Sequence, residues 1–421
     1  MKVFKFGGAS VKDAAAVRNV AAILSLYPGS LLIVVSAMGK TTNALEEIFR
    51  LAKAAKDYNA PLLSLQQYHQ QIANDLFLDK QHPVFDSLLN YFAALQEYLQ
   101  HLQPDSLFDE QYDQVVSTGE ILSSVIVYHY LAAIGIKTTW QDCREYICTD
   151  NSWREAKVDW LATEQHIQTK LVPLLANSVV VTQGFLGGTS QQRTTTLGRE
   201  GSDFSGAIFA YCLPAESLTI WKDVAGFLNA DPKHFRNTVK YNEISYQDTV
   251  EMAYYGASVI HPKTIKPLAN RHIPLYVKSF LQPTAEGTII KEVKNDKLAP
   301  AFIRKENQCL LSFSVRDFTF ISEENLSVIF QALAELRFKI NLMQNSAISF
   351  SVCSDYDADR LQLLQAQLQE HFVIHYNTGL LLYTIKNYTE DSINFLTVDK
   401  EILMEQRTRS TFQFVCRDSD R

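Results

Sequence analysis

Lys2-Val3-Phe4-Lys5-Phe6-Gly7-Gly8-Ala9-Ser10 stands at the start of the chain, and the rest of the fold reads outward from it. Val3 to Phe6 reads as a short strand that stops at two glycines. From Val11 to Leu26 the apolar residues Val17, Val20, Ala21 and Leu24 recur at helical spacing. A strand that turns through glycines into a helix lets backbone N–H groups approach an anion at the helix N-terminus. Lys5, at the strand end, would add the mobile positive charge that phosphoryl transfer needs. A plain tight turn with a solvated lysine fits the same residues, and a Gly-Gly pair alone does not separate the two readings.

The next segments extend the pattern. Leu31 to Val35 is a continuous apolar run, as expected of a strand buried on both faces of a parallel sheet. From about Asn43 to Tyr112 the pattern is almost wholly helical, with breaks expected near Pro61, Pro83 and Pro104, and reads as a helical insertion. Ser117-Thr118-Gly119-Glu120 then opens a helix. Strands follow at Lys137 to Trp140 and Val179 to Thr182, then a helix at Ser202 to Tyr211, a strand at Ser217 to Trp221, a helix at Tyr246 to Tyr255 and a strand at Pro274 to Lys278. This alternation predicts an α/β sheet with crossover connections. From about Ala299 the segments shorten: strands at Leu310 to Phe313, Ala347 to Val352, Leu380 to Ile385 and Phe412 to Val415, and helices at Glu324 to Leu336 and Asp357 to Glu370. They predict small α+β modules in tandem.

Composition narrows the function. At 421 residues the chain is long enough for two or three domains, and its 47% hydrophobic and 20% charged content is that of a globular protein. No apolar run is read as a membrane span, and none at the start as a signal peptide, so a cytoplasmic protein is expected. The six cysteines form no Cys-x-x-Cys pair, which gives no zinc framework, and no metal-ligating set is assigned. A net charge of −7 without a Lys/Arg block argues against a nucleic-acid partner.

The polar motifs lie in the turns of this α/β pattern. Gly198-Arg199-Glu200-Gly201-Ser202-Asp203 packs a guanidinium, two glycines, a hydroxyl and carboxylates into a loop that opens a helix. Arg199 suits bidentate capture of a carboxylate or phosphate, and Arg199 with Glu120 and Asp203 could receive a zwitterionic amino acid. Asp203 and Glu120 each also fit an ordinary helix-start residue. Trp221-Lys222-Asp223-Val224 and Asn229-Ala230-Asp231-Pro232-Lys233 follow a buried strand, where open α/β sheets bind ligands, although Asp231-Pro232 alone is a turn signal. Gly39-Lys40-Thr41 has the ending of a nucleotide P-loop, but Val34 stands where that motif needs its first glycine, and Ser36, Thr41 and Thr42 read as a polar rim beside the Lys5 loop. His261, followed by Pro262, reads as a structural hydrogen-bonder.

In order and spacing, KFGGAS (5–10), VVSAMGKTTN (34–43), STGE (117–120), TTLGREGSDFS (195–205), WKDVAGFLNADPK (221–233), YYGASVIHPKT (254–264) and KSFLQPTAEGTII (278–290) resemble the aspartate kinases of the amino-acid kinase family. The resemblance covers about residues 1 to 310. It implies a carbamate-kinase-like three-layer α/β sandwich with a mostly parallel sheet (1–298, with the insertion at about 43–112), followed by a regulatory region of α+β ferredoxin-like ACT modules (299–421). In that region a first module at about 309–372 would be inserted in a second, 299–308 plus 373–421, truncated by a helix and a strand. The implied reaction uses ATP with Mg2+ to convert L-aspartate to 4-phospho-L-aspartate. By position, Lys5 would stabilise the transferring phosphoryl group, and Ser36, Thr42, Glu120, Arg199, Ser202 and Asp203 would hold aspartate. Gly7, Gly8, Ser10, Lys222, Asp223, Leu228 and Lys233, with Lys5, would meet the nucleotide. The resemblance further implies a homodimer or larger assembly and an amino-acid effector, lysine or threonine.

Three departures stand out. Many members have Lys at the position of Ser258, a tyrosine-bearing loop at Phe227-Leu228, and, when sensitive to lysine, Asp at the position of Asn341. Two other functions compete with the single-function kinase. A non-catalytic amino-acid sensor would be expected to lose Lys5, Arg199 or Asp203, and all three are present. A P-loop NTPase would depend on Lys40 and tolerate loss of Lys5.

Overall fold

The structure is a computed structural model that describes residues 1–102, 107–257, 259–293, 298–316 and 319–417. The break expected at Pro104 and the departure at Ser258 lie outside the described residues. The chain forms two compact units: Met1–Phe227, Lys240–Val250 and Val259–Asn295 make the first, and Leu228–Val239, Glu251–Ser258 and Asp296–Arg421 the second. Two short segments expected in the kinase part therefore group with the C-terminal part. Within the second unit, the Asn229 side chain donates to the Pro300 carbonyl at 2.9 Å and Ala230 bridges Phe302.

In the first unit, β1 (Lys2–Phe6) leads through a 3-10 turn into α1 (Ala14–Ser25), whose N-terminus is capped by the Asp13 carboxylate accepting the Ala16 N–H at 2.8 Å. β2 (Leu31–Val35) is followed by the helices α2 (Thr41–Lys53), α3 (Asn59–Leu76), α4 (Pro83–Gln100), α5 (Phe108–Val116) and α6 (Thr118–Ala133). Then come β3 (Thr138–Gln141), α7 (Trp160–His166), α8 (Val172–Leu175) and β4 (Val179–Gln183). The two-stranded ribbon of β5 (Leu186–Gly188) and β6 (Thr194–Thr196) precedes α9 (Gly201–Cys212) and β7 (Ser217–Lys222). The unit closes with β8 (Glu243–Ser245), the first half of α10 (Tyr246–Tyr255, grouped with the second unit from Glu251 on), α11 (Pro262–Asn270), β9 (Leu275–Ser279) and β10 (Thr288–Lys291). Pro61 and Pro83 do not break helices. Each sits in the first turn of one, where a missing N–H costs no helical bond, so the breaks fall just before them.

The main sheet runs β3-β4-β2-β1-β7-β9-β10-β8, and every neighbouring pair is parallel except β9 with β10. Strand alternation divides β1 between two helical layers. Phe4 and Phe6 join the apolar core built with α1 to α6, and Trp221 stacks on Phe6 with centroids 6.0 Å apart. Lys5 faces the other way, against α9, where a Cβ on Gly206 would lie 3.5 Å from the Lys5 Cβ. The result is the expected three-layer sandwich with a mostly parallel sheet. The Phe108–Ala133 stretch is long and apolar enough to cross a membrane, but its most apolar window is 78% buried inside the fold, as suits core helices.

The second unit is built on one six-stranded sheet, β12-β13-β11-β14-β16-β15. β11 (Ala301–Val315) and β14 (Phe372–Lys386) pair antiparallel along their 15-residue lengths, with a register shift between Lys305 and Leu310. One half adds α12 (Glu323–Glu335), β12 (Ile340–Asn345), β13 (Ser349–Asp355) and α13 (Ala358–Leu368), a complete strand–helix–strand–strand–helix–strand module. The other adds α14 (Glu390–Thr397), β15 (Ile402–Arg407) and β16 (Thr411–Arg417). The second module is expected to lack a helix and a strand; β15 supplies the strand, and among the described residues the module falls one helix short. The second half has four strands and one helix, because Ala301–Lys305 pairs with Leu382–Lys386 and β15 covers β16. β15 leaves no apolar alternation to read in the sequence because Glu405, Gln406 and Arg407 are exposed.

Candidate active site

β1 and β7 run parallel, and each delivers a lysine near its carboxyl end, Lys5 and Lys222, toward the start of α9. Asp203, in the first turn of α9, receives both. Lys5 Nζ lies 2.6 Å from its Oδ1 and Lys222 Nζ 3.4 Å from its Oδ2, while Lys222 also donates to the Val259 carbonyl. Burial raises the Asp203 pKa, but the two ammonium groups outweigh it and hold the carboxyl below its ordinary range. Asp203 is therefore the charged counter-ion of two lysines, whatever it also contributes to the helix start.

The glycines expected to cradle a phosphate lie against this cluster. A Cβ on Gly7 would sit 3.5 Å from Lys5 Nζ, and one on Gly8 would sit 2.8 Å from the Ala37 carbonyl and 3.0 Å from that of Gly39. The Gly8 contact is backbone against backbone, joined by the Gly39 N–H donating to the Gly8 carbonyl at 3.1 Å and the Ser36 N–H to that of Phe6 at 3.0 Å. Ser36 and Thr42 are half-buried at this junction. Ser10 is buried and donates its hydroxyl to the Trp221 carbonyl at 3.2 Å, which ties the glycine turn to β7. The P-loop reading does not survive: Lys40 is exposed, the Gly39 N–H is engaged, and the Thr41 hydroxyl donates to the Met38 carbonyl at 2.7 Å.

Glu120, in the first turn of α6, is buried at 3% exposure. Its Oε1 accepts the Ala37 N–H at 3.3 Å, and its Oε2 has no hydrogen-bond partner among the described residues. Burial pushes its pKa up to about 8, against the weaker opposing pull of the Ala37 N–H and Lys5. A buried carboxyl with one free oxygen, electrostatically coupled to Lys5, is suited to receive a cation.

The Arg199 loop completes the arrangement. Gly198 and Glu200 adopt the left-handed conformation, at φ of 74° and 54°, and Arg199 between them is exposed. Ser202 is buried against Gly184, where an added Cβ would lie 2.6 Å from the serine Cβ. On the ribbon side, Asp113 accepts the Thr196 N–H at 2.9 Å, the Thr196 hydroxyl at 2.7 Å and the Arg154 N–H at 2.9 Å. The structure thus gathers Lys5, Asp203 and Lys222 in one ion cluster with Gly7 beside it and Glu120 coupled to Lys5, while Gly8 packs on the Ala37–Gly39 turn and Ser202 on Gly184. Asp223 is exposed just beyond Lys222, while Leu228 and Lys233 belong to the second unit, Lys233 in an exposed turn around Asp231. His261 caps α11 by accepting the Lys263 N–H at 3.2 Å.

Asp113, Gly184 and Lys263 were passed over by sequence reasoning. Gly184 had a usable signal, a glycine straight after the buried strand β4. Asp113 sits inside a helical stretch whose pattern gives no hint of its partner in β6.

The amino acid kinase family model matches residues 1–279. Lysine-sensitive aspartokinase 3 of Escherichia coli is 30% identical over 363 residues, covering 84% of this chain and 78% of that protein. The crystal structure of E. coli aspartokinase III in complex with aspartate and ADP (R-state) superposes with a TM-score of 0.83 at 26% identity, covering 100% of this chain and 97% of the other. The same enzyme in complex with lysine and aspartate (T-state) gives 0.81 at 26% identity, over 99% and 95%. Together with the Lys5, Asp203 and Lys222 cluster, these likenesses place the chain: it belongs to the amino acid kinase family, in its aspartokinase branch.

Proposed function

We propose that the chain phosphorylates the side-chain carboxylate of L-aspartate with ATP, forming 4-phospho-L-aspartate and ADP, the entry to lysine, threonine and methionine synthesis. The buried Lys5–Asp203–Lys222 cluster carries this reading. A carboxylate is already a nucleophile at neutral pH, so no general base is needed, and the barrier is repulsion between two anions. The aspartate side-chain oxygen attacks the γ-phosphorus as the bond to the β,γ-bridging oxygen breaks, and ADP leaves. Lys5 stabilises the charge spread over the transferring oxygens. Asp203 fixes the ammonium groups of Lys5 and Lys222 in place before substrate arrives, so little reorganisation is left for the transition state.

Glu120 receives the substrate ammonium through its free oxygen. Arg199 pairs with a substrate carboxylate, helped by the hydroxyls of Ser36, Thr42 and Ser202. Gly7, Gly8, Ser10, Lys222 and Asp223 are assigned to the nucleotide, and Leu228 and Lys233 carry that assignment from the family resemblance alone. Asp203 is committed to two lysines. Mg2+ is therefore assigned to the triphosphate, as part of the substrate.

The second unit serves as the regulatory ACT region of a cytoplasmic homodimer or larger assembly, with lysine or threonine as effector. Asn341 is engaged there: its Oδ1 accepts from Lys305 at 2.8 Å, and its Nδ2 donates to Gln308 at 2.8 Å and Asp355 at 2.9 Å. The test of the kinase reading is incubation with MgATP, hydroxylamine and L-aspartate, with glutamate and N-acetylglutamate as controls. Aspartyl hydroxamate with aspartate alone is expected. Aspartate binding without hydroxamate would replace the enzyme with an amino-acid sensor.

A further inference from the structure

The loop that presents Arg199 is held from a side that no functional assignment covers. Lys263, half-buried near the start of α11, donates from Nζ to the Leu197 carbonyl at 2.9 Å. The Leu197 N–H donates to the Phe185 carbonyl at 2.8 Å, so this residue is pinned through both of its backbone polar groups. Directly after it, Gly198 turns into the left-handed region, where a Cβ would meet the Glu155 side chain at 2.9 Å and the Arg154 carbonyl at 3.1 Å. On that side the backbone of Gly198 is therefore packed directly against the Arg154–Glu155 segment. The Lys263 ammonium also lies 5.7 Å from the centre of the Phe204 ring, next to Asp203. Burial lowers the Lys263 pKa, and Glu155, Glu200 and Asp203 pull the other way, so the ammonium is a member of the site's field as well as a clamp.

We infer that Lys263 is a positioning residue for the aspartate half of the site, which sets the Leu197–Glu200 backbone in the shape that presents Arg199. It touches no reacting atom. The inference rests on the aspartate kinase reading above, with Arg199 on a substrate carboxylate. Losing the hydrogen bond from a charged donor corresponds to about a ten- to hundred-fold effect, and here that effect falls on one substrate.

The experiment compares Lys263→Met and Lys263→Arg with the wild-type full-length chain, by steady-state kinetics in both substrates and by urea unfolding followed through tryptophan emission. For Lys263→Met the KM for aspartate is expected to rise about ten- to hundred-fold, while kcat stays within about threefold and the KM for ATP within about twofold. Lys263→Arg, which keeps a charged donor, is expected to recover most of the aspartate KM. An unchanged aspartate KM in Lys263→Met overturns the inference. So does an equal rise in both KM values that Lys263→Arg does not reverse, since that would mark a packing role. Should Lys263→Met fail to fold, Lys263→Gln carries the same comparison. A wild-type chain without activity on aspartate would instead defeat the underlying kinase reading.

Discussion

Replacing Glu120 by Gln separates the electrostatic role of this residue from its shape. In the folded protein the carboxyl is pushed up to about 8 from an ordinary 4.5, mainly by burial. Below pH 4.5 folded and unfolded chains both hold the proton; between 4.5 and about 8 only the folded chain does. Stability therefore falls as pH rises through this window, and above about 8 the folded state bears the full cost of a buried carboxylate. At about 1.4 kcal/mol per pH unit, the accumulated loss is roughly 5 kcal/mol as an upper figure. Glu120→Gln keeps an acceptor for the Ala37 N–H and cannot ionise. It should match the wild type near pH 5 and exceed its stability by a few kcal/mol near pH 8. All four tryptophans, Trp140, Trp153, Trp160 and Trp221, lie in the first unit, so urea unfolding followed by tryptophan emission reports this unit alone. The same variant should raise the KM for aspartate at least about a hundredfold, because a buried ion pair with the substrate ammonium is lost. Parallel wild-type and variant stabilities from pH 5 to 8, or an unaltered KM, would refute the placement of the proton and of the substrate.

The other substitutions test the geometry around it. Lys5→Ala should lower kcat by about a thousandfold or more, in line with loss of a preorganised charge at the transferring group, while Lys40→Ala, at an exposed position, should stay within about twofold; the opposite pattern would restore the P-loop reading. Gly184→Ala would place a methyl 2.8 Å from the Ser202 Cα, a backbone atom that cannot swing aside. It should cost about 1–3 kcal/mol of stability and raise the aspartate KM, and a variant indistinguishable from wild type would show that the start of α9 yields freely.

How much of this was legible depended on what kind of signal each part leaves. β2 was readable because a buried parallel strand is an unbroken apolar run, and β1 because two glycines punctuate it before α1. The pairing of Lys5 with Asp203 was not: the residues are 198 positions apart, and only the sheet order, with β1 beside β7 and α9 packed over both, brings them to 2.6 Å. The family resemblance supplied the list of site residues; the structure supplied which of them neutralise one another. The long strand β11 reads as two pieces because Glu306 and Asn307 interrupt the apolar pattern at the register shift, and only Leu380 to Ile385 of β14 reads as a strand because His375 to Gly379 are exposed. Lys263 stayed unnoticed since a lysine after His-Pro looks like any solvated helix-start residue until its carbonyl partner is known.

The charge balance of the site's own residues leads to one more test. Lys5 and Lys222 against Asp203 leave one net positive charge in a buried place, Arg199 adds another at the rim, and Glu120 is mostly neutral at pH 7 because its pKa lies about 8. Such a pocket favours anions before the amino group of aspartate arrives. When that ammonium reaches the free oxygen of Glu120, the opposite charge stabilises the carboxylate and the proton must leave. Aspartate binding near pH 7 should thus release close to one proton, whereas the Glu120→Gln site has none to give. Calorimetric titration of the wild type with aspartate, in two buffers of different ionisation enthalpy, reads this directly. A binding enthalpy independent of the buffer would mean that Glu120 either keeps its proton or was charged from the start, and the substrate ammonium would have to be placed elsewhere.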